Sequence, residues 1–169
     1  MWANAMKGLR KLGIAAAVQE VGRPLRPKGE LRSWRGEVFY EIPAAAMEER
    51  FGDVTVALHR ADLQKTLSAA LDGDAVRLGA EFTGFEQDEG GVVARFADGW
   101  EERGDLLIGA DGLRSAVRTR LLGDRPPRYA GYTAWRGIAE LEYDPLPGGA
   151  GSELWGRGGR FGLVKLRWG

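Results

Sequence analysis

The feature that most constrains this chain is the stretch LLIGADGLRSAVRTRL, residues 106–121, in which an apolar run passes directly into Gly-Ala-Asp-Gly. Polar and apolar residues do not alternate in this run, which predicts a strand that is buried on both faces, as in a parallel sheet. Ser115 is a good N-cap, and the residues after it predict a helix that runs to Leu122 and stops at Gly123. A buried strand that leads into a helix indicates an α/β fold, and such folds bind ligands at the carboxyl ends of their strands.

The residues at this junction suit two kinds of ligand group. Gly112 has no Cβ, so it can adopt a positive φ or let a ligand approach closely. Backbone N–H groups at the start of the following helix favour an anion by about 0.3–1 kcal/mol. Asp111 is itself an anion, and it is suited to accept hydrogen bonds from sugar or polyol hydroxyls. A dinucleotide offers both groups, although Asp-Gly after a strand is also common as a simple turn.

The rest of the chain divides into a part in which helices and strands alternate and a final third that is rich in strands. Helical spacing of apolar residues predicts helices over 3–12, 14–21 and 60–71. Extended apolar patterns between turn residues predict strands over 37–42, 54–59, 75–87, 91–97, 100–110, 132–143 and 152–168. This order predicts an α/β layer that feeds into a second sheet.

Composition argues against several functional classes. The 24 basic and 24 acidic residues give no net charge, so we expect no nucleic acid and no membrane partner. The chain has no Cys and a single His, His59, so we expect no disulfide, no metal site and no Ser-His triad. No secretory signal is recognisable, and we expect a cytoplasmic protein. The basic stretch 23–35 predicts a solvated loop or hairpin, with a basic rim beside an anionic ligand as the alternative.

Two motifs together resemble those of the FAD-dependent aromatic hydroxylases, the class A flavoprotein monooxygenases. The first is the Asp-Gly motif of that family, matched here by Gly109, Ala110, Asp111, Gly112, Ser115, Val117 and Arg118. The second is an Arg-x-x-Leu-x-x-x-Leu helix, matched by RADLQKTL with Arg60 in the arginine position. The stretch YTAWRG resembles the salicylate hydroxylase and zeaxanthin epoxidase branch.

The resemblance implies a fold and a domain organisation. Residues 1–128 would form part of an FAD-binding, Rossmann-like domain of the glutathione-reductase type, with a possible excursion into the substrate domain near 23–53. Residues 129–169 would begin a mixed or antiparallel substrate sheet. The family's Gly-x-Gly-x-x-Gly fingerprint and its later Gly-Asp motif have no match. We therefore expect an internal fragment that is inactive alone and binds FAD poorly or not at all.

The resemblance also implies a cofactor, a reaction and site residues. FAD would be held by Arg60, Phe82, Asp111, Gly112 and Ser115, and NAD(P)H and O₂ would serve as co-substrates in hydroxylation or epoxidation of an aromatic or olefinic small molecule. No catalytic residue stands out. Five side chains are candidates to line a substrate pocket: Tyr132, Trp135, Arg136, Trp155 and Phe161. Packing in the core or on a sheet surface would explain each of them as well. Two alternatives remain open: a flavin-dependent reductase or halogenase, and a truncated product without flavin.

Overall fold

The computed structural model describes residues 1–167, which fall into two compact units. One unit consists of Met1–Ala75 together with the chain from Ala139 onwards, and the other is Val76–Ile138. Each unit has its own sheet, and each is described separately below.

The first unit has four helices and a small apolar core. The helices are α1 (Ala3–Lys11), α2 (Ala15–Val21), α3 (Ala44–Phe51) and α4 (Arg60–Ala69). Met6 of α1, Val18 of α2 and Val56 are fully buried in the core, and Leu63 of α4 packs against it. The side chain of Asp53, which is 1% exposed, accepts two hydrogen bonds of 2.9 Å from Arg10 and so fastens α1 to the loop after α3. The helices predicted over 3–12, 14–21 and 60–71 are confirmed to within about two residues.

The first unit also holds six strands in two sheets. Two strands of two residues each, β1 (Arg23–Pro24) and β4 (Val56–Ala57), pair antiparallel. The larger sheet has the order β3-β2-β8-β9, formed by β2 (Lys28–Ser33), β3 (Val38–Pro43), β8 (Gly151–Gly156) and β9 (Gly159–Val164). β2 runs parallel to β8, and the other two pairings are antiparallel hairpins. The sheet is therefore mixed.

The basic stretch 23–35 lies partly in this sheet, and most of its cations are paired. Arg26 bonds to Glu48, Lys28 to Glu30 and Glu41, and Arg32 to Glu30. The structure thus supports the hairpin interpretation of this stretch. The alternative, a rim of free cations, is wrong for these three side chains because carboxylates of the same unit already neutralise them.

The second unit is built on a three-stranded antiparallel sheet and one short helix. Its strands are β5 (Phe82–Asp88), β6 (Gly91–Phe96) and β7 (Glu101–Gly104), and its helix is α5 (Ala116–Leu122). The strand predicted over 75–87 begins only at Phe82. A 3₁₀ turn over Gly73–Ala75 and a left-handed Gly79 (φ +73°) break the extended chain before that point.

One predicted strand forms only in part and another does not form. The strand predicted over 100–110 forms as β7 over Glu101–Gly104, but residues 105–110 are irregular, and Leu106 and Ile108 are 75% and 76% exposed, so the prediction that its apolar end is buried on both faces is wrong. Residues 132–143 are irregular as well, and Trp135 is 94% exposed. The reason is the same in both places: no strand among residues 1–167 pairs with either segment, and an unpaired strand leaves its backbone groups to water. The predicted strand 152–168 forms as the β8–β9 hairpin, and its last residue lies outside the described ones.

Candidate functional site

At the junction, the carboxylate of Asp111 is bound to the start of α5. One carboxylate oxygen accepts a hydrogen bond of 2.5 Å from Ser115 Oγ, and the other accepts one of 3.1 Å from the Val117 N–H. Ser115 Oγ in turn accepts from the Arg118 N–H at 2.9 Å, so Ser115 is the N-cap that the sequence predicts. These hydrogen bonds stabilise the ionised form and hold the pKa of Asp111 below its usual value, with the Ser115 hydroxyl as the largest cause.

Two glycines shape the turn that carries Asp111. Gly112 has φ +82°, in the left-handed region that favours glycine, as the sequence suggested. A Cβ at Gly109 would lie 2.8 Å from Cβ and Cγ1 of Val117, so only glycine lets segment 105–110 lie this close to α5. The junction is therefore a close contact between backbone and helix rather than an ordinary loop.

The structure corrects one part of the ligand expectation. From the sequence, we expected free N–H groups at the start of α5 that could bind a pyrophosphate. The N–H groups of Val117 and Arg118 are instead satisfied by Asp111 and Ser115. An ionised carboxylate can accept about four hydrogen bonds, and Asp111 is exposed, so its remaining lone pairs are open to hydroxyl donors. Asp111 can therefore accept further hydrogen bonds from hydroxyl groups, whereas the N–H groups of Val117 and Arg118 are not free to bind a phosphate.

Arg60 is the first residue of α4 and belongs to the other unit. It is exposed, and among residues 1–167 no carboxylate lies within 4 Å of its guanidinium. A cation at a helix N-terminus is mildly unfavourable, which leaves the guanidinium suited to an anionic partner. Its predicted convergence with Asp111 on one ligand stays a prediction.

Phe82, the candidate for an adenine contact, opens β5 and packs within the second unit. Its ring is stacked on Phe85 at 6.5 Å and meets Phe96 edge-on at 6.4 Å, between ring centroids. The side chain is thus used in packing, and only the backbone of Phe82 remains a candidate for a ligand contact.

An apolar groove in the second unit was not foreseen from the sequence. It encloses about 210 Å³ between the sheet, segment 105–107 and α5. Its apolar lining consists of Phe85, Val92, Leu106, Leu107, Val117 and Leu121. The sequence pattern could have indicated this groove, because β6 and α5 each have an apolar face that must pack against another element.

The five side chains named as pocket candidates belong to different units, three to the second unit and two to the first. Tyr132, Trp135 and Arg136 are exposed on the irregular segment, so the expected packing in a sheet or core is wrong for them. Trp155 and Phe161 are both in the β8–β9 hairpin, but the register places them on opposite faces. Trp155 donates its indole N–H to Glu153 at 2.9 Å, a partner that the sequence analysis did not name.

Comparison with known proteins agrees with these features. The profile of the FAD binding domain family matches residues 2–133. Aurachin C monooxygenase/isomerase of Stigmatella aurantiaca is 40% identical over 166 residues, which are 98% of this chain and 43% of that protein. FAD-dependent urate hydroxylase of Klebsiella pneumoniae is 35% identical over 167 residues, 98% of this chain and 44% of that one.

The same similarity is found at the level of structure. The crystal structure of Klebsiella pneumoniae HpxO complexed with FAD and uric acid matches with a TM-score of 0.88 and 34% identity, over 100% of this chain and 44% of that one. The fold is that of an FAD-binding monooxygenase, which confirms the predicted fold class. The chain belongs to the FAD-dependent aromatic hydroxylase family, with a domain of the FAD binding type. It spans less than half the length of the relatives it matches. No helix within residues 1–167 is long and apolar enough to cross a membrane.

Proposed function

We propose that this chain is part of an FAD-dependent monooxygenase that oxidises a small aromatic molecule, with NAD(P)H and O₂ as co-substrates. The observation that carries the proposal is the junction at Asp111, whose exposed carboxylate is oriented by Ser115 and Val117 at a left-handed Gly112. Membership of the family supports the reaction class, and the matched urate hydroxylase supports an aromatic substrate.

Each candidate residue has a role that its chemistry permits. Asp111 would accept hydrogen bonds from ribityl or ribose hydroxyls, and Ser115 would fix the carboxylate for that task. Gly112 would let the cofactor approach the backbone, and Arg60 would pair with phosphate oxygens. The backbone of Phe82 would meet the adenine. When bound, FAD supplies the redox and oxygen chemistry, and the protein supplies orientation and exclusion of water.

We further propose that the chain by itself binds FAD weakly. The sequence has no match to the family's Gly-x-Gly-x-x-Gly fingerprint, so the backbone contacts to the pyrophosphate that this motif would supply are missing. The N–H groups of Val117 and Arg118 are already bonded to Asp111 and Ser115 and would not replace them.

Titration of FAD into the purified chain, followed by flavin fluorescence anisotropy, tests the site. We expect weak binding that Asp111→Ala and Arg60→Ala each weaken further, at least several-fold, because each variant removes a charged hydrogen-bonding group. Matched controls are Asp124→Ala and Lys65→Ala, which remove the same charges at exposed positions, the second on the same helix as Arg60. If the site variants bind FAD as the controls do, the assignment is wrong. If the chain retains flavin through gel filtration, the proposal of weak binding is wrong.

A further inference from the structure

A polar cavity in the first unit is lined by none of the residues assigned to FAD above. It measures about 310 Å³ and lies where helices α1, α2 and α3 meet the loop before β4. Sites for small molecules have volumes of roughly 300–1,000 Å³, so this cavity is at the lower end of that range. It is called the Glu48 cavity below, and its polar lining consists of Arg10, Gln19, Arg26, Glu48 and Asp53.

One carboxylate of the Glu48 cavity is fully used within the chain. The side chain of Asp53 is 1% exposed, and its two oxygens accept from Nε and Nη2 of Arg10 at 2.9 Å each. One of these oxygens also accepts from the Val54 N–H at 2.9 Å. These contacts hold the pKa of Asp53 below its usual value, with the Arg10 hydrogen bonds as the largest cause. Arg10 keeps further N–H donors for a ligand.

The other carboxylate of the cavity is only half used. Glu48 Oε2 accepts from Arg26 Nη2 at 2.6 Å, whereas Glu48 Oε1 is buried and has no hydrogen-bond partner among residues 1–167. A buried charged acceptor without a donor is costly, and such groups in folded proteins nearly always have a partner. Glu48 Oε1 therefore requires an N–H or O–H donor from outside the chain. Arg26, like Arg10, keeps further N–H donors.

The charges around the cavity select the kind of ligand. Two guanidinium groups and two carboxylates add up to no net charge. A simple anion would be repelled by the carboxylates, and a simple cation by the guanidinium groups. No cluster of acidic or His side chains within residues 1–167 could hold a metal ion. A ligand that carries both charges can place a cationic donor at Glu48 and an anionic acceptor at the two arginines, where charged hydrogen bonds are strongest.

We propose that the Glu48 cavity binds a small α-amino acid as its zwitterion, with the ammonium group donating to Glu48 Oε1 and the carboxylate accepting from Arg10 and Arg26. The amide of half-buried Gln19 can both donate and accept, which suits a polar side chain on that ligand. A Cβ added at Gly52 would meet nothing within 4 Å, so there is open space beside the end of α3. This site is additional to the proposed flavin site.

Three ligands that differ in their charged groups test the inference. L-Glutamine carries both groups, N-acetyl-L-glutamine lacks the ammonium group, and acetate offers a carboxylate alone. In an NMR titration of the isotope-labelled full chain, L-glutamine should shift the backbone amides of Gly52 and Val54 with a saturable curve. N-acetyl-L-glutamine should bind more weakly by on the order of tenfold or more, because a hydrogen bond between two charged groups is lost. Acetate should give no saturable shift.

Two outcomes of this titration would overturn the inference. If L-glutamine gives no saturable shift at Gly52 and Val54, the cavity is not an amino-acid site. If N-acetyl-L-glutamine or acetate binds as tightly as L-glutamine, the cavity recognises a carboxylate alone and Glu48 does not receive an ammonium group.

A matched pair of variants on α3 locates the ammonium group. Glu48→Gln keeps the shape of the side chain and removes its charge, so L-glutamine should bind about tenfold more weakly or worse. Glu49→Gln removes the same charge at the exposed neighbouring position and should leave the Kd within about twofold. An unchanged affinity in Glu48→Gln contradicts the proposal. If circular dichroism shows that Glu48→Gln does not fold, the comparison of the three ligands on the unmodified chain decides.

The outcome is independent of the proposed function. The titration contains no FAD, so the amino-acid site stands or falls without the flavin assignment. Conversely, loss of the Glu48 cavity as a ligand site would leave the predicted roles of Asp111 and Arg60 unchanged.

Discussion

The three-stranded sheet of β5, β6 and β7 and the segment 105–110 are neighbours in sequence but differ in structure. All three strands of the sheet pair antiparallel, with one irregularity between Phe82 and Gly84, whereas the more apolar segment that follows at once is irregular and exposed. Short turns connect the strands of this sheet, and each strand pairs with one that lies within about 20 residues of it in the sequence. Segment 105–110 has no partner strand among residues 1–167. An apolar segment therefore forms a strand only where a neighbouring strand can hydrogen-bond to its backbone.

The largest effect is expected from a change at the connection between β6 and β7, Trp100→Ala. The Trp100 ring is stacked on Phe96 at 4.7 Å, and the Arg77 guanidinium lies 3.8 Å from its centre. Loss of these contacts should lower the free energy of unfolding of this unit by about 2–4 kcal/mol, measured by urea titration. Trp135→Ala, at a 94% exposed position, is the matched control and should change it by less than about 0.5 kcal/mol. If the two Trp→Ala variants changed the free energy of unfolding equally, the expected difference between the sheet and the irregular segment would be contradicted.

A smaller effect is expected where the irregular segment meets α5. Ser115→Ala removes the cap of the helix and the hydrogen bond to Asp111, and should cost about 1 kcal/mol. Ser68→Ala, in the exposed part of α4, is the control and should be neutral or slightly stabilising, because Ala is the better helix former. If Ser115→Ala left the free energy of unfolding unchanged, the junction would contribute as little to stability as the segment before it.

Acid should act on the two regions differently. The pKa of folded Asp111 is held below that of the unfolded chain, about 3.9, by Ser115 and the Val117 N–H. The stabilisation of the folded chain by ionised Asp111 is therefore present above pH 4, and it is lost as the pH falls through the pKa of Asp111 in the folded chain. Amide hydrogen exchange of α5 should therefore become faster as the pH falls below 4, and Asp111→Asn should remove this dependence. The sheet responds through another carboxyl, Asp98, whose pKa the Trp100 N–H and Arg77 hold below its usual value. An α5 that keeps its acid dependence in Asp111→Asn would contradict this.

The smallest effect is expected in the apolar segment itself. Leu106→Ala and Ile108→Ala remove large apolar side chains that are 75% and 76% exposed, so each should change the free energy of unfolding by less than about 0.5 kcal/mol. A buried leucine would cost about 2–5 kcal/mol instead. Losses of that size would show that the segment is packed in solution, as the sequence alone predicts.

The elements that the sequence predicted correctly are those whose partners are local. Helices α1, α2 and α4, the hairpin β5–β6 and the Ser115 cap follow from spacing, turn residues and capping within a few positions. The parallel pairing of Gly29 with Gly151 could not be predicted, because nothing in either strand specifies a distant neighbour. At the candidate site, Asp111 and Ser115 were found by motif, but the hydrogen bonds that occupy the helix N–H groups required coordinates.

The parallel pairing of β2 with β8 has a consequence for the order of folding. Its partners lie about 120 residues apart, a long-range contact of the kind that slows folding. During synthesis on the ribosome, the β2–β3 hairpin is complete long before β8 emerges, and until then the free edge of β2 is open to any other extended chain. The edge of β2 is thus closed only when β8 has been synthesised.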